Sequence, residues 1–305
     1  MQILKRETQI DFAAKMKPAA ILSLAVIIAG IISLIYHGGP RLGIEFSGGT
    51  VAQIRFQEAA ATDQVRSALD KGGFENSDVQ QVGATTGNEF LVRIDVAPSD
   101  LRGMQDRIEG AMEAAFGAGK YEIRRMEAIG PKVGRDMTRK GIWALTLSLI
   151  AILVYVSIRF EFGYALGGIV ALFHDVLITV GVFSLLGKEF TLQIVAALLT
   201  IIGYSINDTI VIFDRVRENL KKGSKRNLRD IINLSVNQTL SRTILTSLTV
   251  FLVLLALYAL GGPVIHDFAF ALLIGTVAGV YSTVFIASPL VLAWESLVSR
   301  RRRRK

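Results

Sequence analysis

The chain has 305 residues, of which 51% are hydrophobic, and carries a formal charge of +8 with no cysteine. The missing cysteine excludes disulfides and thiolate metal sites in any compartment. The apolar residues gather in runs of 18 or more, and a helix needs roughly 20 such residues to cross the hydrocarbon of a bilayer, so the composition is that of a membrane protein.

In chain order, a basic arm over 1–17 with Lys5, Arg6, Lys15 and Lys17 precedes the first run, 18–36. That run is too long for a signal-peptide core and is followed by His37-Gly38-Gly39-Pro40 rather than an Ala-x-Ala cleavage site, which predicts a retained span. Residues 37–140 form the one soluble stretch of domain size. Within it, β-rich runs at 51–56, 79–83, 90–96 and 121–126 alternate with amphipathic helices at 62–71, capped by Thr62 and closed by Gly72-Gly73, and at 99–116, capped by Ser99. The turn-rich stretch 84–88 separates the middle strands. The order βαββαβ predicts a ferredoxin-like α+β domain with both helices on one sheet face.

Five further spans follow at 141–158, 162–186, 190–213, 243–260 and 268–292, with a basic connection at 214–242 and a basic tail at 294–305. The fold class is therefore an all-α membrane bundle of six helices with an inserted α+β domain. The arm, the 214–242 connection and the tail hold nearly all the lysine and arginine of the short connections, so they share the cytoplasmic side and 37–140 lies outside. Trp143, near the outer end of span two, and Trp294, at the inner end of span six, sit where interfacial aromatics belong.

The basic balance raises a nucleic-acid partner, but acidic and basic residues nearly cancel in 37–140. The run Arg300 to Lys305 fits acidic lipid head groups, with ribosomal RNA as the other reading. No nucleophile elbow, metal cluster or phosphate loop is present, so an enzyme is not expected.

Two features border the soluble stretch. Gly43-Ile44-Glu45-Phe46-Ser47-Gly48-Gly49-Thr50 follows span one, and the pair Gly48 and Gly49 permits backbone conformations or close approaches that a side chain would block. Gly130-Pro131-Lys132-Val133-Gly134 precedes span two as a return hinge. The plain alternative is that both are turns between a helix and a domain.

The charges inside the spans carry the sharper argument. An acid in such a segment costs about 2.5–3.5 kcal/mol on insertion scales and is by default a functional-site candidate. Asp208 lies six residues inside Asp214 on span four, and His174 and Asp175 lie halfway along span three. Arg242, at the inner start of span five, can match the depth of Asp208, which makes an ion pair geometrically possible. Moving Arg242 toward or away from Asp208 would change the carboxylate's hold on a proton and so couple proton occupancy to helix position. The structural alternatives are an interfacial Arg242 and a hydrogen-bonded His174–Asp175 brace. Asp214, with Arg215 and Arg217, reads as an ordinary helix end at the head groups. The pairs Gly163/Gly167 and Gly275/Gly279 are spaced for close helix packing.

The glycine motif at 43–50, Phe173-His174-Asp175-Val176, the segment Ser205-Ile206-Asn207-Asp208-Thr209-Ile210-Val211-Ile212-Phe213-Asp214-Arg215-Val216-Arg217-Glu218-Asn219 and the segment Asn237-Gln238-Thr239-Leu240-Ser241-Arg242-Thr243 together resemble the SecF family of protein-export membrane subunits, within the SecD/SecF family and the resistance-nodulation-division superfamily. The six-span layout resembles it as well. The resemblance implies a bacterial inner-membrane protein with a periplasmic domain at 37–140. It implies a pairing with SecD beside the SecYEG channel, with YajC and YidC as further candidates and unfolded exported proteins as substrate. No cofactor is implied beyond protons as the coupling ion. It puts Asp208 and Arg242 on the proton pathway, with His174 and Asp175 as additional candidates, and Gly43, Glu45, Gly48 and Gly49 in the periplasmic motif. Glu45 and Ser47 stand where the family commonly has Asp and Thr. A non-transducing assembly subunit and half of a proton-driven efflux transporter are the alternatives.

Overall fold

The structure is a computed structural model that describes residues 8–75, 77–81, 88–94, 101–222 and 227–302. Lys5, Arg6, the turn residues 84–87, the Ser99 cap, Lys225, Arg226 and the side chains of the tail from Ser299 lie outside what is described. Two compact units form: one from Arg41 and the chain before it together with everything from Trp143, the other Leu42–Ile142.

In the Leu42–Ile142 unit, four strands, β1 (Gly49–Phe56), β2 (Asp78–Gln81), β3 (Glu89–Ile94) and β4 (Tyr121–Ile129), pair antiparallel in the order β2-β3-β1-β4. This is the expected split βαββαβ arrangement. Alternation sends Ala52, Ile54 and Phe56 of β1 and Phe90, Val92 and Ile94 of β3 to one face. Helical spacing places Val65, Ala68 and Leu69 of α3 (Thr62–Lys71) and Met104, Ile108 and Met112 of α4 (Leu101–Phe116) in the same core, so both helices cover that face. The pairing of β4 with β1 slips between Gln53 and Ile54, an extra residue that leaves Arg124 and Arg125 outward and keeps Ile123 and Met126 against the core.

Two local expectations are corrected here. Thr62 is the first helical residue of α3 and not its cap; the cap is Ala61, whose N–H donates to Gln64 Oε1 at 3.2 Å. A single helical turn, α2 (Ile44–Ser47), stands inside the glycine motif, where no helix was expected because four residues carry no periodicity.

The membrane unit and its flanks hold six helices long and apolar enough to cross a bilayer: α1 (Phe12–Tyr36), α5 (Pro131–Arg159), α6 (Phe162–Leu185), α7 (Leu192–Lys221), α8 (Leu228–Leu260) and a last span from Ile265 to Val298. Each matches a predicted apolar run to within two residues of its apolar ends, and most extend beyond it into polar sequence, because hydropathy marks the hydrocarbon and not the helix. The largest difference is at 214–242. Most of this stretch is helical: α7 continues to Lys221 and α8 begins at Leu228, with Asn227 Oδ1 accepting the Asp230 N–H at 2.9 Å. Likewise the return hinge at 130–134 folds as the first turn of α5, with Pro131 in the opening position that tolerates a missing N–H. Helix α1 starts six residues before Pro18. Its free N–H groups are capped in trans, Asn233 Oδ1 accepting from Phe12 at 2.8 Å and Ala13 at 3.2 Å, while Asp11 accepts from Ala14.

The last span is α9 (Gly262–Ser282), a π-helical turn (Thr283–Ala287) and α10 (Ser288–Arg302). The small residues set the helix contacts as their spacing implied. Gly275 and Gly279 face Ile201 and Ser205 of α7, and Gly163 and Gly167 face Trp294 and Ala287 of the last span. Gly30 of α1 meets Gly181 of α6 more closely: a Cβ on Gly30 would lie 2.7 Å from the Gly181 Cα. Apolar side chains on the outer faces, such as Ile21 and Leu22 of α1 and Ile142 and Leu147 of α5, remain exposed, as a hydrocarbon environment permits.

Candidate functional site

Two apolar clusters fill the membrane unit, one around Leu172, Ile202 and Phe213, the other around Phe183, Leu198 and Leu272. Polar side chains from several helices meet at the level of Asp175, whose sequence position on α6 falls between Leu172 of one cluster and Phe183 of the other. Asp175 is fully buried and completely satisfied. Its Oδ2 accepts from the Ser205 hydroxyl of α7 at 2.6 Å and the Ser282 hydroxyl of α9 at 3.0 Å, and its Oδ1 lies 3.0 Å from His174 Nδ1. His174 is also buried. Its Nε2 lies 3.0 Å from Ser23 Oγ of α1, and its ring stacks on Tyr281 with centroids 5.9 Å apart. A buried charge-bearing pair in an apolar bundle demands such partners, since each polar atom left without one costs about 1–3 kcal/mol.

Asp208 is also buried, yet its surroundings differ. Its hydrogen bond is to the Ser247 hydroxyl of α8, at 3.3 Å. The ion pair with Arg242 that the spacing made possible does not form among the described residues; Arg242 is exposed at the helix surface, though within electrostatic range of the carboxylate. The reason is geometric. Ser247 follows Arg242 by five residues on the same helix, so the short hydroxyl, and not the long guanidinium, is what α8 turns toward Asp208. Thr243 Oγ1, one turn before Ser247 on α8, is buried with no hydrogen-bond partner. Asp214, by contrast, pairs with Arg159 at 3.0 Å, an ordinary ion pair where helices α5 and α7 end their apolar lengths.

Sequence reasoning found both acids but missed Ser23, Ser205, Ser247, Tyr281 and Ser282. A lone hydroxyl in an apolar helix is common, and only the three-dimensional convergence distinguishes these five: Ser205, Ser282 and Ser247 on the two carboxylates, Ser23 and Tyr281 on the imidazole of His174. The π-helical turn that follows Ser282 carries Thr283, whose hydroxyl is 2.9 Å from that of Thr209 on α7; such turns often mark functional positions.

The glycine motif has its own geometry. Gly48 and Gly49 adopt φ of 77° and 118°, values that favour glycine, and a Cβ on Gly48 would lie 3.1 Å from the Ile129 carbonyl and Pro131 Cα. A Cβ on Gly134 would lie 2.6 Å from the Phe46 carbonyl. The motif and the start of α5 therefore interlock backbone to backbone, with Gly43 at the N-terminal end of the α2 turn. Arg93 clasps the turn by donating to the Leu42 carbonyl and to Ser47 Oγ, both at 2.6 Å. Glu45 Oε2 is buried with no hydrogen-bond partner. No group of His, Asp or Glu suited to a metal occurs among the described residues.

A six-span bundle with two buried carboxylates on facing helices, joined in sequence to a ferredoxin-like unit, defines a polytopic membrane protein of the transport type. The chain matches the family model described as protein export membrane protein SecD/SecF, C-terminal, over residues 109–297, and that of the SecD/SecF GG motif over residues 34–60. The chain belongs to the SecD/SecF protein-export family, on its SecF side. Protein translocase subunit SecF of Magnetococcus marinus is 46% identical over 96% of this chain and 94% of that protein, and the SecF subunit of Vibrio alginolyticus is 45% identical over 95% and 91%. The crystal structure of SecDF from Thermus thermophilus, a translocon-associated membrane protein, is similar with a TM-score of 0.83 and 35% identity, over 97% of this chain and 40% of that chain. This chain thus spans two-fifths of the SecDF chain it matches.

Proposed function

We propose that this chain is a non-enzymatic, proton-driven subunit of protein export. It acts with a SecD partner beside the SecYEG channel to draw unfolded polypeptide out of the cytoplasm, with both termini cytoplasmic and the Leu42–Ile142 unit periplasmic. Protons are the coupling ion and no cofactor is needed. The matching SecDF chain, in which the similar fold occupies 40% of a longer polypeptide, supports the pairing with SecD.

The observation that carries this reading is the setting of Asp208. A buried carboxylate held by one 3.3 Å hydroxyl, with an exposed arginine five residues before that serine on the same helix, has two arrangements open to it. Protonated, it rests on Ser247. Ionised, it calls for a counter-charge, and a shift of α8 that brings Arg242 inward supplies one. Each proton descending a 100 mV potential releases about 2.3 kcal/mol, so alternation between the two arrangements converts proton passage into helix movement. Asp175 and His174 extend this pathway.

The test is Asp208→Asn at normal membrane levels, in vesicles that also contain SecD, with proton flux and export measured together. Loss of proton-dependent export and flux is the expected result; unchanged flux and export sink the reading. A second reading, a non-transducing assembly subunit, draws on the complete hydrogen bonding of Asp175, which suits a structural brace. In that case Asp208→Asn leaves export intact.

A further inference from the structure

The one-hydrogen limit of a hydroxyl fixes the direction of the chain of contacts at His174. The Ala19 carbonyl can only accept, so Tyr281 spends its hydroxyl proton there, at 2.5 Å. The Tyr281 oxygen then accepts from Ser23, at 3.0 Å, which spends the serine proton. Ser23 Oγ can therefore only accept from His174 Nε2, 3.0 Å away, and Nε2 must carry a hydrogen. The donors run His174, Ser23, Tyr281, ending on the accepting carbonyl of Ala19, so the chain of contacts crosses α6, α1 and α9 before returning to the backbone of α1. One proton remains to be shared across the 3.0 Å contact between His174 Nδ1 and Asp175 Oδ1. On the carboxyl oxygen it leaves a neutral acid and a neutral imidazole; on the nitrogen it leaves a carboxylate and an imidazolium. The pair is neutral in sum either way, which is how it can lie buried in the bundle.

We infer that Ser23 and Tyr281 are positioning residues for the His174–Asp175 pair. They hold the imidazole as the Nε2–H form, so that Nδ1 faces the acid and the pair moves one proton between Oδ1 and Nδ1 with no change in net charge. Stacking of the ring on Tyr281 fixes its plane, and the two serines on Oδ2 fix the carboxyl group. The donor sequence ends on α1, so a displacement of α1 against α6 and α9 breaks it, frees Nε2 and lets the ring change tautomer. The pair then reports helix position to the proton. This inference rests on the proton-coupled reading above.

The test reads the His174 ring directly by ¹⁵N nuclear magnetic resonance in lipid vesicles containing this chain and SecD, with His37 and His266, the other two of the 3 histidines, replaced by glutamine. In the parent, the expected signals are those of the Nε2–H tautomer or the imidazolium. Ser23→Ala and Tyr281→Phe are expected to add an Nδ1–H population and to slow proton-driven export about three- to tenfold, the range set by one lost hydrogen bond. Ser23→Thr, which keeps the hydroxyl, restores both. A neutral Nδ1–H ring in the parent overturns the inference, and so does a ring signal unmoved by Ser23→Ala. If Ser23→Ala fails to accumulate, the parent tautomer together with Tyr281→Phe decides. Export that survives Asp208→Asn defeats the proton-coupled reading but leaves the tautomer result standing; export lost in Asp208→Asn with an unmoved ring in both hydroxyl variants defeats the positioning role alone.

Discussion

The Ser205 hydroxyl donates a 2.6 Å hydrogen bond to Asp175 Oδ2, so α7, which carries Asp208 three residues further on, is fastened to α6 at its buried acid. The two acids picked out from the sequence thus share a physical connection through a residue that hydropathy ignores. Ser205→Ala removes one of the two hydroxyls on Oδ2 and is expected to destabilise the detergent-solubilised chain by about 1–3 kcal/mol. Thermal unfolding of Ser205→Ala, Ser282→Ala and the double variant checks it, and non-additive losses are expected because both serines share one acceptor.

Ser247 is the hydroxyl on Asp208. Ser247→Ala leaves the carboxyl group without that hydrogen bond, and proton-driven export is expected to fall about three- to tenfold while Ser247→Thr retains most of it. Export rates at matched membrane levels, with and without an imposed proton gradient, are the measurement; a loss that persists without the gradient counts against a role at Asp208.

Two glycine substitutions separate helix packing from helix propensity. Gly30→Ala puts a Cβ 2.7 Å from the Gly181 Cα, where backbone meets backbone, so α1 must move off α6 at a cost of about 1–3 kcal/mol. A Cβ on Gly203, on α7, meets nothing within 4 Å, and Gly203→Ala is expected to be neutral or to stabilise by up to about 1 kcal/mol. Melting temperatures of the two variants are expected to shift in opposite directions or, at the least, to differ by several degrees.

The amide of Asn237 pairs with both backbone groups of Ile10, accepting from its N–H at 2.9 Å and donating to its carbonyl at 2.8 Å, while Asn233 caps α1. The segment before α1 is thereby strapped to α8. In Asn233→Ala/Asn237→Ala this strap is expected to loosen. Because the chain has no cysteine, Ile10→Cys offers a single site whose maleimide labelling should quicken several-fold in the double variant.

Tyr121 donates its hydroxyl to the Glu109 carbonyl at 2.8 Å. Burial first, then the charges of Glu109 and Glu113, push its phenol above the ordinary value of 10.0. The folded form therefore holds the proton more tightly than the unfolded one. The resulting stability is complete below the ordinary value and is lost as the pH rises through the raised one. Subtracting the ultraviolet phenolate titration of Tyr121→Phe from that of the parent should reveal a tyrosine ionising at a more alkaline pH than free tyrosine.

Much of the architecture was legible in the chain because its signals are local. Six apolar runs mark six helices through hydrocarbon thickness, and the alternation in 51–56 and 90–94 with two amphipathic helices marks a βαββαβ unit. The boundaries were less legible. Pro18 looked like a start, but a helix can precede a proline when its exposed N–H groups are capped from elsewhere, here by Asn233. Charges at 214–242 looked like a loop, but polar helices extend beyond the bilayer wherever water or partner amides satisfy them, as the Asn219 amide does by donating to Ser235 and Gln238.

By itself the sequence determined that Asp175, His174 and Asp208 lie within helices long and apolar enough to cross a bilayer, since that depends only on their neighbours along the helix. Which groups face each acid was decided by the tertiary structure, because helix rotation and the glycine contacts choose which side of α1, α7, α8 and α9 turns inward. That choice placed Ser247, and not Arg242, on Asp208, and it gathered Ser23, Ser205, Tyr281 and Ser282 around the His174–Asp175 pair.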